Sequence, residues 1–114
     1  MLRKVADWQL ARSQPYFDRI WTSSVMYSGF MAASEATGDM RYRDAMRAMS
    51  EQFKYELRGP YPNADDQSVA QTYLELFFQD KRADTIAPTK AHLDILIGLD
   101  TLKPGDPRLR VFAA

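Results

Sequence analysis

Residues 16–37, YFDRIWTSSVMYSGFMAASEAT, decide how this chain reads as a fold. Within them Phe17, Ile20, Trp21, Tyr27, Phe30 and Met31 recur at helical spacing, and Val25, Met26, Ala32 and Ala33 widen the stripe until little polar surface is left. A helix apolar around most of its circumference must be covered on more than one side. Pro15 fits its start. Thr37-Gly38-Asp39 fits its stop, because Gly38 can take the left-handed conformation after a last turn and Asp39 can cap whatever follows.

Outward from this segment the pattern changes character. Over 40–57, Tyr42, Ala45, Met46, Met49 and Phe53 form a narrow stripe, while Arg41, Arg43, Asp44, Arg47, Glu51 and Lys54 take the other face, which predicts a surface helix running back along the first. Gly59-Pro60-Tyr61-Pro62-Asn63 predicts a loop, since its prolines lack backbone donors and bias the preceding residues away from helix. Asp65 or Asp66 then opens a third helix carrying Val69, Tyr73, Leu74, Leu76, Phe77 and Phe78, again broadly apolar. Pro88 suits the first turn of a fourth, with Leu93, Ile95, Leu96, Ile97 and Leu99 following. From Thr101, through Pro104, Gly105 and Pro107, periodicity is lost.

The two helical pairs form a weak internal repeat in which Tyr27 aligns with Tyr73, Asp39 with Asp84, Met46 with Leu93 and Met49 with Leu96, at an offset of roughly 46 residues typical of hairpin arrays. Broadly apolar helices alternate with amphipathic ones. The expectation is an all-α, two-layer chain with the first and third helices inside and the second and fourth covering them; an ordinary four-helix bundle is the alternative that pattern alone leaves open.

Composition excludes several functions. The 15 basic and 15 acidic side chains cancel, so no overall field favours nucleic acid or an anionic membrane. With no Cys there is no disulfide, thiolate metal site or cysteine nucleophile, and carboxylates and aromatics remain as the chemical groups. Residues 1–13 mix charged and apolar positions without a signal-peptide core, and no segment approaches the roughly 20 apolar residues of a membrane span, so a soluble, cytoplasmic protein is expected. His92, the sole histidine, falls on a predicted outer helix and is expected to face solvent, and the six methionines are expected to fill the core. No metal or cofactor is expected.

Two motifs carry a family resemblance. The run from Trp21 to Ala33, followed by Ala36-Thr37-Gly38-Asp39 and Tyr42, resembles the first inner helix and turn of glycoside hydrolase family 105, a relative of the family 88 unsaturated glucuronyl hydrolases. Asn63-Ala64-Asp65-Asp66-Gln67-Ser68-Val69-Ala70-Gln71-Thr72-Tyr73-Leu74 resembles that family's A-D-D-x-x-x-G-Q-T-Y-L segment, with Ala70 where the family usually has Gly. The resemblance implies an (α/α)6 barrel of six hairpins, of which residues 1–114 would supply roughly the first third. It implies unsaturated rhamnogalacturonyl hydrolase chemistry on a 4,5-unsaturated galacturonyl-rhamnose oligosaccharide from pectin breakdown, by hydration of the double bond. It also implies a second aspartate in a W-x-D-A-L-F-M segment, which this sequence does not contain.

Asp66, with Asp65 as the alternative, is the candidate catalytic carboxylate. One of two adjacent aspartates at a helix start can cap the helix, but both cannot, and that leaves one to enter a pocket. A carboxylate at a helix N-terminus is favoured in its ionised form, so Asp66 reads as a group that orients sugar or water while the proton donor lies elsewhere. Tyr27 and Trp21 suit a sugar-stacking wall or equally a packed core, and Gln71 is a candidate polar contact. Inner-helix faces left uncovered would favour self-association. The competing reading is a non-catalytic scaffold of helical hairpins, although tetratricopeptide units are shorter, at about 34 residues.

Overall fold

The computed structural model describes residues 1–59, 64–98 and 104–106, which form helices and no strand. In chain order these are α1 (Leu2–Ser13), α2 (Trp21–Thr37), α3 (Arg41–Gln52), the single turn α4 (Ala64–Gln67), α5 (Ala70–Asp80) and α6 (Ala87–Gly98), with short 3-10 turns at Gln14–Tyr16 and Ala83–Thr85. Pro60, Tyr61, Pro62 and Asn63 of the expected loop, Leu99 of the fourth helix, and Thr101 and Pro107 of the tail lie outside the described residues.

The deciding helix begins later than its stripe suggests. Pro15 sits in the 3-10 turn, Phe17 is extended, and α2 starts only at Trp21, so Phe17 and Ile20 precede the helix they were read into. Phe17 still reaches the core by stacking edge-on against Tyr27, 5.2 Å between ring centroids. The stop falls at Gly38, whose φ of 75° is left-handed and whose N–H donates to the Ser34 carbonyl at 2.9 Å. Two side chains then turn the chain into α3. Buried Ser34 accepts the Arg43 N–H at 2.8 Å, and Asp39 accepts the Arg41 N–H at 3.0 Å.

Asp39 also pairs with the Arg41 guanidinium at 2.7 Å, and these Arg41 bonds hold its carboxyl down at about 2, below the ordinary 3.8. The folded-state value is depressed, so this corner contributes stability that is complete above pH 3.8 and is lost as pH falls through about 2. Acid titration followed by circular dichroism should show Asp39→Asn abolishing the part of the unfolding that falls in that window.

α3 ends at Gln52 rather than near Leu57, because Lys54 and Tyr55 have φ of 55° and 56°. That reversal buries Tyr55 and Leu57, and the Tyr55 N–H reaches back to the Ser50 carbonyl at 2.9 Å. The left-handed region costs a non-glycine residue about 1–2 kcal/mol, while glycine loses about 0.5–1 kcal/mol more entropy on folding. Lys54 is exposed, so Lys54→Gly should raise stability by about 0.5–1 kcal/mol in urea denaturation. Tyr55→Gly should destabilise, since it removes a ring packed 5.4 Å from Tyr73.

The third helix is also interrupted. α4 stops at Gln67, and the chain regains helix at Ala70 through tighter bonds, with the Gln71 N–H on the Ser68 carbonyl and the Thr72 N–H on the Val69 carbonyl. α5 ends where Lys81 turns left-handed at φ 57°.

α2 and α5 lie side by side with α3 packed across both. Tyr27, Tyr42, Met46, Val69, Tyr73 and Leu76 have no exposed surface, and they form the centre of the core together with Phe30, Met31 and Met49. Met1 and Met40 are exceptions to the expected methionine filling, the first fully exposed and the second 43% exposed. Arg47 locks α3 to the end of α5 by a two-pronged pair with Asp80 at 2.9 and 3.0 Å.

The repeat is real at its tyrosines and unequal at its outer helices. The Tyr27 hydroxyl donates to the Asp18 carbonyl at 2.6 Å and the Tyr73 hydroxyl to the Glu56 carbonyl at 2.8 Å, each tying its helix to the segment that leads into it. Met46 is fully buried under α3, whereas its partner Leu93 on α6 is 44% exposed. Only Thr89 of α6 is buried, so α6 covers less than its place in the pattern suggested.

α1 has no counterpart in the sequence reading. Its apolar Leu2, Val5 and Trp8 are about half exposed or more, and only Ala6 is buried. It is held largely by polar contacts. The Tyr42 hydroxyl donates to Asp7 at 2.7 Å, and Arg41 pairs with the same carboxylate at 3.0 Å.

Candidate active site

The candidate site lies around α4, which packs against α2. Arg19, just before α2, donates from Nη1 to the Leu57 carbonyl at 2.9 Å and lays its guanidinium over the Phe53 ring at 5.1 Å. This fixes the approach to α2 against the chain that enters Arg58-Gly59. The Arg58 N–H in turn donates to the Asp66 carbonyl at 3.3 Å, and the Arg58 guanidinium faces the Asp66 carboxylate at 3.5 Å. The first residue of α2, Trp21, stands two residues beyond Arg19 and is half exposed.

Asp65 and Asp66 both lie inside the first turn, after Ala64, so neither precedes the helix as a cap. Asp65 is exposed and Asp66 half-buried. The Asp66 carboxylate rests on the backbone of Gly59: a Cβ at that position would stand 2.9 Å from Asp66 Oδ2. Gly59 also has a φ of 80°, so glycine is required there twice, for the turn and for the room it leaves the carboxylate. Nothing in the sequence reading singled out Gly59 or Arg19. A glycine directly before a proline in a turn-rich stretch reads as punctuation, and its value to Asp66 exists only once Arg58-Gly59 meets α4.

The structure distributes the other named residues differently. Tyr27 is fully buried; its hydroxyl donates to the Asp18 carbonyl and accepts the Asp18 N–H at 2.8 Å, and burial pushes it up to about 12. It packs the core beneath the turn that leads to Trp21. Gln71 is exposed, bonds to Glu75 at 3.1 Å, and faces the cleft between α5 and α6. His92 lines that same cleft, with Nδ1 buried, and so does not simply face solvent. Among the described residues no group of His, Cys, Asp and Glu could hold a metal ion, and no helix is long and apolar enough to cross a membrane.

Comparison with known proteins places this arrangement. The chain is 28% identical, over 106 residues, to the unsaturated 3S-rhamnoglycuronyl hydrolase of Alteromonas sp. (strain LOR), an alignment covering 81% of this chain and 25% of that protein. The chain thus spans about a quarter of the length of the curated relative it matches. No solved structure matches it significantly. The model of Glycosyl Hydrolase Family 88 matches residues 1–104, which contain both sequence motifs, the six helices of the described residues and the Asp66 site: this chain belongs to that family, as helical hairpins of its barrel.

Proposed function

We propose that this chain forms part of a glycoside hydrolase acting on oligosaccharides that end in a 4,5-unsaturated uronyl residue, and that Asp66 orients the substrate or the attacking water. The observation that carries the reading is the family match through the Ala64-Asp65-Asp66 segment, together with a carboxylate held half-exposed against Gly59.

The chemistry follows from the substrate. A vinyl ether accepts a proton at its outer alkene carbon and a hydroxyl, from water, at the carbon bearing the ring oxygen. The resulting hemiketal opens, and the glycosidic bond is lost in the collapse. This differs from the usual pair of carboxylates flanking a glycosidic oxygen, yet still needs a placed acid and a placed water. Asp66 supplies the placing group, the acid comes from outside this chain, and Asp65 is the alternative carboxylate. Trp21 offers an amphipathic ring beside Arg19, while Gln71, which faces the cleft between α5 and α6, takes no part in this reading. Tyr27 acts from below by holding the Asp18 turn.

The substrate proposed is a galacturonyl-rhamnose disaccharide released from pectin; the name of the Alteromonas relative also joins a rhamnose to a uronyl group. Self-association belongs to the proposal as well, through the apolar faces around Val25, Phe78 and Ile97, each more than 60% exposed. The test is loss of the ultraviolet absorbance of the uronyl double bond, measured for this chain and for the chain substituted into the matched quarter of the Alteromonas relative.

A further inference from the structure

A cleft of about 360 Å³ separates α4 and α5 from α6, and Asp66 is not among the residues that line it. Its wall combines the apolar Leu57, Leu74 and Leu93 with Gln67, Thr89 and His92. The volume is at the lower end of the roughly 300–1,000 Å³ typical of small-ligand pockets. The polar groups are anomalous for a packing seam. Gln67 Nε2, Thr89 Oγ1 and His92 Nδ1 are all buried without a hydrogen-bond partner among the described residues, and Thr89 is only 4% exposed. Each unpaired buried group costs about 1–3 kcal/mol, so three on one wall is a cost that packing alone does not recover.

We propose that this cleft is a binding site for a neutral hexopyranose ring. A sugar hydroxyl both donates and accepts, which suits an amide N–H, a threonine hydroxyl and an imidazole nitrogen together. The C–H face of the ring suits the leucines. Among the described residues the lining holds no Lys, Arg, Asp or Glu, so there an anionic sugar would lose its hydration without gaining a counter-charge. The site is independent of the hydrolase reading, because it involves neither Asp66 nor turnover.

The experiment is nuclear magnetic resonance titration of the chain with D-glucose and, separately, with D-glucuronate, the same ring carrying a carboxylate. Glucose should move the Gln67, Ser68, Thr89 and His92 signals saturably in the millimolar range, and glucuronate should leave them in place. Thr89→Val and Gln67→Leu should each weaken glucose binding about two- to tenfold. Thr89→Val should at the same time raise the unliganded melting temperature, by removing an unpaired hydroxyl, which separates loss of a ligand contact from loss of fold. Absence of a saturable shift with glucose, an equal response to glucuronate, or unchanged affinity in both variants would overturn the site.

Discussion

Asp66→Asn, made in the chain substituted into the Alteromonas relative, should lower consumption of the unsaturated uronyl double bond about 10²- to 10⁴-fold, the range expected when a placed acid-base or water-orienting group is lost. The melting temperature should stay within a few degrees. Asparagine keeps the shape that fits over Gly59 and keeps the backbone carbonyl that accepts the Arg58 N–H. What is lost is charge, and the ion pair it breaks is long at 3.5 Å with Arg58 55% exposed, so it contributes little to the fold. Gly59→Ala should reproduce part of the activity loss from the other side, since its Cβ displaces the carboxylate and strains a φ of 80°. Asp65→Asn, at the exposed neighbour, should have the smaller effect; a larger one would move the catalytic assignment to Asp65.

The largest effect on stability is expected at Met46. It has no exposed surface and lies in the core beneath α3, so Met46→Ala should cost about 2–5 kcal/mol, a large share of the roughly 5–15 kcal/mol that holds a domain together. Calorimetry should show a fall in melting temperature of roughly 10–30 °C. Leu93→Ala, at the position the repeat pairs with Met46, should cost about 1 kcal/mol or less, because Leu93 is already 44% exposed. Equal losses at the two positions would mean that α6 packs as α3 does.

That contrast shows where sequence patterning carries and where it fails. Helical spacing in 16–37 and 40–57 located the core because the residues that must be buried there, Tyr27, Phe30, Met31, Tyr42, Met46 and Met49, are large and regularly spaced. Gly38 marked the first turn because only a left-handed residue closes it. α1 was not legible, since its apolar Leu2, Val5 and Trp8 face outward and the bonds of Tyr42 and Arg41 to its Asp7 help hold it. The reversal at Lys54-Tyr55 was not legible either, because neither residue signals a positive φ. For the site, the Asp65-Asp66 pair could be found as a motif, whereas its supports could not. Gly59, Arg58 and the Arg19 bond to Leu57 acquire their roles only when three separate segments meet.

The measurement that tests the central claim most directly is the ultraviolet assay on an unsaturated galacturonyl-rhamnose disaccharide, run with the substituted protein and its Asp66→Asn form side by side. Loss of the double-bond absorbance with Asp66 present, and its persistence with Asn, is the predicted result. A folded substituted protein that leaves the double bond intact, or an Asn form that consumes it at the same rate, would contradict the assignment and leave the chain as a helical scaffold.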